Sequence, residues 1–174
     1  MSTGPRFRVH FRRRREGRTD YRVRLKLLKS GRPRAVVRLS ERRVRVSLVE
    51  FDPTGDRVLA TADSAELAGI EFPSGSFAST PAAYLTAYLA GLRAKANGRE
   101  EAVLDVGIRR PTAGGRLSAA LKGLLDSGLE IPHGEGGFPS ADRLEGAHLP
   151  KKLPHPLETY RAKLSTIVTR PEAA

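Results

Sequence analysis

Hydrophobic positions divide this chain into a polar start, a patterned middle and a broken end. Residues 1–17 hold Phe7, Val9 and Phe11 at alternate positions, with Gly4, Pro5 and Gly17 and no helical period. They predict an extended arm, disordered until bound. Thr19-Asp20 is an N-cap signal, and Tyr21, Leu25 and Leu28 then recur at one-turn spacing. That predicts a short amphipathic helix over 19–30 whose stripe docks on the rest, stopped by Ser30-Gly31 and Pro33. Residues 34–40, 43–51 and 57–63 alternate like strands. Val44, Val46 and Leu48 oppose Arg43, Arg45 and Ser47, and Val58, Ala60 and Ala62 oppose Arg57, Leu59, Thr61 and Asp63. With Ser40-Glu41-Arg42 and Asp52-Pro53-Thr54-Gly55 as turns, they predict an antiparallel meander.

Residues 64–79 read as a loop with one helical turn near Ser64–Leu67. Thr80-Pro81 starts a helix, with Thr80 as cap, that runs to Ala96 and ends at Asn97-Gly98. Leu85, Leu89, Leu92 and Ala96 mark its face, and Tyr84 and Tyr88 read as core-edge residues. The apolar run 102–108 suits a buried strand reached by a helical crossover. A basic glycine-containing loop, 109–116, leads to a helix over 117–127 closed by Gly128. Short helices are expected over 140–147, capped by Ser140, and over 157–168, with Pro150, Pro154 and Pro156 breaking the chain between them. The fold class is α/β: a mixed sheet (antiparallel meander plus one crossover strand) with helices packed on it and an extended basic N-terminal arm. The arm spans 1–18, the α/β domain 19–133 including the first helix, and a C-terminal extension 134–174.

Charge changes the picture. Of 31 basic and 19 acidic residues, 17 and three respectively fall in positions 1–45. The net +12 is therefore local, and such density is costly unless a polyanion sits against it. A membrane surface would want a basic helix with bulky apolar groups opposite the charge, which the arm lacks. No apolar run is long enough to span a bilayer, and no apolar segment follows the basic start as in a secretory signal. Arginine outnumbers lysine heavily, which favours bidentate phosphate contacts and stacking on bases. Nucleic acid is thus preferred over acidic protein or lipid.

The same sequence offers little catalytic chemistry. There is no cysteine, which removes thiolate metal sites and a thiol nucleophile. His133 beside Glu135 is the one tempting pair, without a second histidine at metal spacing, and reads as a loop histidine. Gly134-Glu135-Gly136-Gly137 lacks the Lys and Ser/Thr of a phosphate loop, and Asp105 and Asp126 have no evident partners. No enzyme, cofactor, metal or small-molecule substrate is expected. There is no zinc finger, basic zipper or clear helix-turn-helix either, so irregular RNA fits better than duplex DNA. Two rival classes remain: an RNA-processing enzyme on a similar core, which needs paired carboxylates, and an architectural DNA-binding protein.

Specific strings carry a resemblance. Arg14-Arg15-Glu16-Gly17-Arg18-Thr19-Asp20-Tyr21 and Leu27-Leu28-Lys29-Ser30-Gly31-Arg32-Pro33-Arg34 are two of them. Ala83-Tyr84-Leu85-Thr86, Ala90-Gly91-Leu92, Glu101-Ala102-Val103-Leu104-Asp105-Val106-Gly107 and Ala119-Ala120-Leu121-Lys122-Gly123 follow, and then Asp126-Ser127-Gly128-Leu129-Glu130-Ile131-Pro132-His133. In this order they resemble the archaeal branch of large-subunit ribosomal protein eighteen, whose eukaryotic relative is large-subunit ribosomal protein five. The resemblance implies a structural, cytoplasmic ribosomal protein that binds 5S rRNA in the central protuberance. Implied partners are large-subunit (23S-type) rRNA, the other 5S binder called large-subunit ribosomal protein five in archaeal and bacterial naming, and neighbouring proteins there.

The family's strand-turn-strand RNA contact, Arg then Ser-Asn-Lys-His, falls on Arg38, Ser40, Glu41, Arg42 and Arg43. Glu41 replaces the common Asn and sets a carboxylate against phosphate, while Arg43 replaces His and adds a cation. The family's Pro-Thr-x-Gly-x-Arg loop falls on Pro111, Thr112, Gly114 and Arg116, and its N-terminal contacts on Arg12, Arg13, Arg14, Arg15 and Arg18. Charge and placement add Arg6, Arg8, Arg22, Arg34, Arg45, Arg109 and Arg110 to the expected RNA-binding set. Beyond about residue 140 the family varies, and the tail from Lys151-Lys152 is expected to touch rRNA or a neighbouring protein.

Overall fold

The computed structural model of the chain describes residues 4–150 and 153–169; the Lys151-Lys152 expectation lies outside them. β1 (Arg34–Leu39), β2 (Val44–Glu50) and β3 (Arg57–Asp63) form the expected meander, and β4 (Val103–Asp105) adds a strand parallel to β1. The sheet order is β3-β2-β1-β4, so the chain crosses the whole sheet between its last two strands. Alternation places Ala35, Val37, Val44, Val46, Leu48, Ala60 and Ala62 on one face, all buried. A bulge at Leu48/Val49 puts Val58 opposite Val49 and skips Leu59. A one-residue slip swaps faces, so Val58 points to the open face instead of joining Ala60 and Ala62.

α3 (Thr80–Ala96) fills the space over the inner face. It is buried on nearly every side from Thr80 to Gly91, with α4 (Arg116–Asp126) and α6 (Leu157–Thr169) packed around it. Its cap is Ser79, whose Oγ accepts from the Ala82 N–H, so Thr80 is the first helical residue and not the expected cap. The α3–α4 crossing is close because position 123 is glycine: a Cβ there would collide with the Tyr84 carbonyl. Tyr84 is buried in this crossing and its hydroxyl donates to Asp126 at 2.7 Å. Burial, followed by that carboxylate, pushes the Tyr84 phenol well above its ordinary value. α6 brings Tyr160 and Leu164 into the same core, and α5 (Ala141–Leu144) adds Leu144.

Both sheet edges have company. Along β3, Asn97 Nδ2 donates to the Leu59 carbonyl at 2.8 Å and Arg93 donates to that of Thr61 at 2.6 Å. Beside β4, the backbone at Glu130 bonds to that at Glu100 and Ala102.

The polar start differs from expectation. Arg12–Arg15 form one helical turn, α1, where an extended segment was expected. Arginine is a good helix former, and the Phe11 carbonyl accepts from both the Arg14 and Arg15 N–H groups. α2 (Tyr21–Leu28) begins where Asp20 caps it, accepting from the Arg22 and Val23 N–H groups. Its expected apolar stripe docks only in part: Tyr21 and Leu28 are half-buried, Leu25 is 56% exposed, and no residue of α2 is fully buried. Arg24 also pairs with Asp56 at 3.0 Å, which ties α2 to the turn between β2 and β3.

Candidate nucleic-acid interface

The open sheet face is built in rows. Register aligns Asp63, Arg45 and Arg38 across β3, β2 and β1, and Thr61, Ser47, Val36 and Asp105 in the next row. Arginines directly opposite each other repel. Here each has a carboxylate: Arg45 holds Asp63 at 3.0 Å and Arg38 holds Asp105 at 3.3 Å. Both arginine side chains stay more than half exposed, so these pairs hold the guanidinium groups without hiding them.

Beneath Arg38 runs a chain of alternating charge, Arg24–Asp56–Arg34–Asp105–Arg38, with contacts from 2.6 to 3.3 Å. Its centre is Arg34, only 3% exposed, donating to Asp56 and Asp105 on opposite sides. Arg34 was expected among the RNA contacts; here it is a buried support, its face closed by the 52–56 turn and α2. Asp105 also accepts from the Gly107 N–H at 2.8 Å, while its carbonyl accepts from Arg38. Gly107, at φ +67°, ends β4 and lets the Arg38 guanidinium lie against its backbone, at a distance where a Cβ would be crowded. β4 is therefore shorter than the apolar run suggested, and Ile108 turns outward.

Four segments far apart in sequence converge here. A cleft of about 350 Å³ between α2 and the turn after β4 is lined by Arg13, Arg18, Arg38 and Arg109. Arg13 donates to Thr19 Oγ1 at 2.9 Å, and Glu16 accepts from Arg18 at 3.1 Å, with Arg12 3.8 Å away. A second cleft holds Arg14, Arg22 and Tyr21, and a third brings Arg109, Arg110, Thr112 and Arg116 beside Leu39. Arg116 joins this loop to the β1–β2 hairpin by donating to the Ser40 and Ala78 carbonyls. Ser40 is spent on the turn itself: its Oγ accepts from the Arg42 and Arg43 N–H groups and donates to the Arg43 carbonyl. That leaves Arg42 and Arg43 exposed at the tip, with Glu41 just before them. Gly114 has φ +64°, a turn that glycine takes without strain. Arg6 and Arg8 lie on an exposed stretch with His10, apart from these clefts.

Many of these cations are unspent. Arg6, Arg8, Arg14, Arg15, Arg22, Arg42, Arg43, Arg109 and Arg110 make no ion pair with a described carboxylate. Spacing along the chain missed Asp56, Asp105 and Arg24 as the frame of the site. One signal existed: an acid inside the apolar run 102–108 needs a partner if the run is buried. Among the described residues no group of three acids or histidines is placed to hold a metal, and no helix is long and apolar enough to cross a membrane.

A family model described as "Ribosomal large subunit proteins 60S L5, and 50S L18" matches residues 5–101 and 93–134. A large ribosomal subunit protein uL18 from Methanoregula boonei is 52% identical over 86% of this chain and 85% of its own length. One from Haloarcula marismortui is 52% identical over 86% and 79% of the two chains, and one from Methanococcoides burtonii 47% over 94% and 97%.

Proposed function

Because this chain belongs to that ribosomal family, as a structural constituent of the large subunit and not an enzyme, we propose that it binds 5S rRNA and anchors it to large-subunit rRNA in the central protuberance. The observation that carries this reading is the convergence of exposed arginines from four segments onto clefts beside the open sheet face. A duplex-reading element is absent among the described residues, while an arginine-lined, irregular surface suits folded RNA read by shape and backbone.

In this reading the contacts come from Arg12 to Arg15 on α1, Arg18 in the segment after it and Arg22 on α2, and from Arg38 and Arg45 on the sheet. Arg42 and Arg43 act at the hairpin tip, Arg109, Arg110, Thr112 and Arg116 in the loop, and Arg6 and Arg8 along the arm. Ser40 and Gly114 shape the turns that present them, and Arg34 supports Arg38 from below. The partners are 5S rRNA, 23S-type rRNA, and neighbouring proteins of the protuberance, including the second 5S binder.

The test is a gel-shift competition with labelled 5S rRNA against excess tRNA, repeated from low to moderate salt. If six to ten arginines meet phosphates, affinity falls about 10³- to 10⁵-fold between roughly 50 and 200 mM salt. Recognition of shape predicts a complex that survives excess tRNA. A shift erased equally by tRNA would leave a non-specific basic surface and refute the 5S assignment.

A further inference from the structure

We propose that the cleft between α2 and the turn after β4 takes one unstacked nucleotide of the bound RNA. The inference rests on the RNA-binding reading above and goes beyond it, from a charged surface to a shaped subsite.

The cleft has two kinds of wall. Arg13, Arg18, Arg38 and Arg109 supply cations. Val23, Leu27, Leu39, Val106 and Ile108 supply aliphatic surface, with Leu27, Leu39 and Val106 half-buried and Val23 and Ile108 43% and 60% exposed. A site for phosphate alone needs no such apolar lining, and a site for an apolar peptide would not be ringed by arginines. A nucleotide presents both characters, an anionic backbone and a flat base with little affinity for water at its faces. The volume, about 350 Å³, lies at the small end of ligand pockets, which run from about 300 to 1,000 Å³.

The two acids at the cleft do not oppose an anion. Asp20 is occupied capping α2, and Asp105 is occupied by Arg34, Arg38 and the Gly107 N–H. Arg38 is pre-positioned, its guanidinium held by the Val37 and Asp105 carbonyls and the Asp105 carboxylate. Fixed donors of this kind bind without first losing rotamer freedom. Ile108 also lines the adjoining cleft that contains Tyr21, so the next base has an aromatic neighbour.

The experiment compares full-length protein with a Val23→Ala/Ile108→Ala double variant in 5S rRNA titrations across salt. A control variant, Ile167→Ala, removes a comparably exposed apolar group on α6, outside the cleft and away from the open sheet face. All three positions are exposed, so matching thermal melts are expected. The cleft variant should lose about fivefold or more in affinity, the scale of one base contact, with an unchanged salt slope because no cation is removed. RNA carrying 4-thiouridine should also cross-link to peptides containing residues 105–110 or 19–27. If the cleft variant matches the control variant while the wild-type protein still binds 5S rRNA over tRNA, the subsite is refuted and the RNA-binding reading stands. If the wild-type protein shows no such preference, both fall.

Discussion

Replacing Asp105 tests the idea that the arginine surface stands on a buried frame. Its carboxylate meets Arg34 at 3.0 Å, Arg38 at 3.3 Å and the Gly107 N–H at 2.8 Å. Breaking a buried pair by deleting one partner typically costs about 3–5 kcal/mol, because the other charge is left in a poor solvent. Arg34 keeps Asp56 at 2.6 Å, which argues for the lower end. We therefore expect Asp105→Ala to lose about 3 kcal/mol. For a chain of this size that corresponds to a Tm lower by roughly 6–12 °C. Urea and thermal unfolding followed by circular dichroism measure it. Asp105→Leu combined with Arg34→Met should be less damaging than Asp105→Leu alone, since an apolar pair leaves no stranded charge. A loss under about 1 kcal/mol in Asp105→Ala, or a double variant as unstable as the sum of its singles, would refute the frame.

Two further predictions concern the α3–α4 crossing. Gly123→Ala should cost about 1–3 kcal/mol in urea melts, because the new methyl meets the Tyr84 carbonyl and the helices must separate. Tyr84→Phe should cost about 1 kcal/mol near neutral pH by leaving Asp126 without its donor. The same variant should respond less to alkali. The folded protein holds the Tyr84 proton more tightly than the unfolded chain, so that contribution is full below the ordinary phenol range and is lost progressively as pH rises from that range toward the raised value in the folded protein. Unfolding titrations above about pH 10 should fall less steeply in the variant than in the wild-type protein.

The fold was legible wherever local pattern and burial agree. Alternation in 34–63 located three strands within a residue, and Thr80-Pro81 placed the central helix with its cap one position off. Pattern failed where one residue changed the count or where charge outbid apolarity. The Leu48/Val49 bulge turned Val58 around, and no periodicity announces a bulge. In α2 the apolar stripe is only half-covered, and the helix is also tied down by the Arg24–Asp56 pair, a contact spanning 32 positions. The arginine surface was visible as composition, and the resemblance located the hairpin and the 111–116 loop. That Arg34 lies inside and Arg38 outside was not readable, since both share a face and differ only in what the 52–56 turn covers. The Asp105 partner of Arg34 is 71 positions away, beyond any local rule.

The side chains laid along β3 bear on the behaviour of the protein before any RNA reaches it. A strand at the border of a meander offers free carbonyls that another copy can match, and a concentrated basic protein without its polyanion meets many copies of itself. Asn97 and Arg93 occupy the carbonyls of Leu59 and Thr61 from the end of the helix that also fills the core. Resistance to aggregation at this border is thereby tied to the last turn of α3. Fraying of that turn would uncover the strand before the core itself came apart, so the first step toward clumping need not be unfolding.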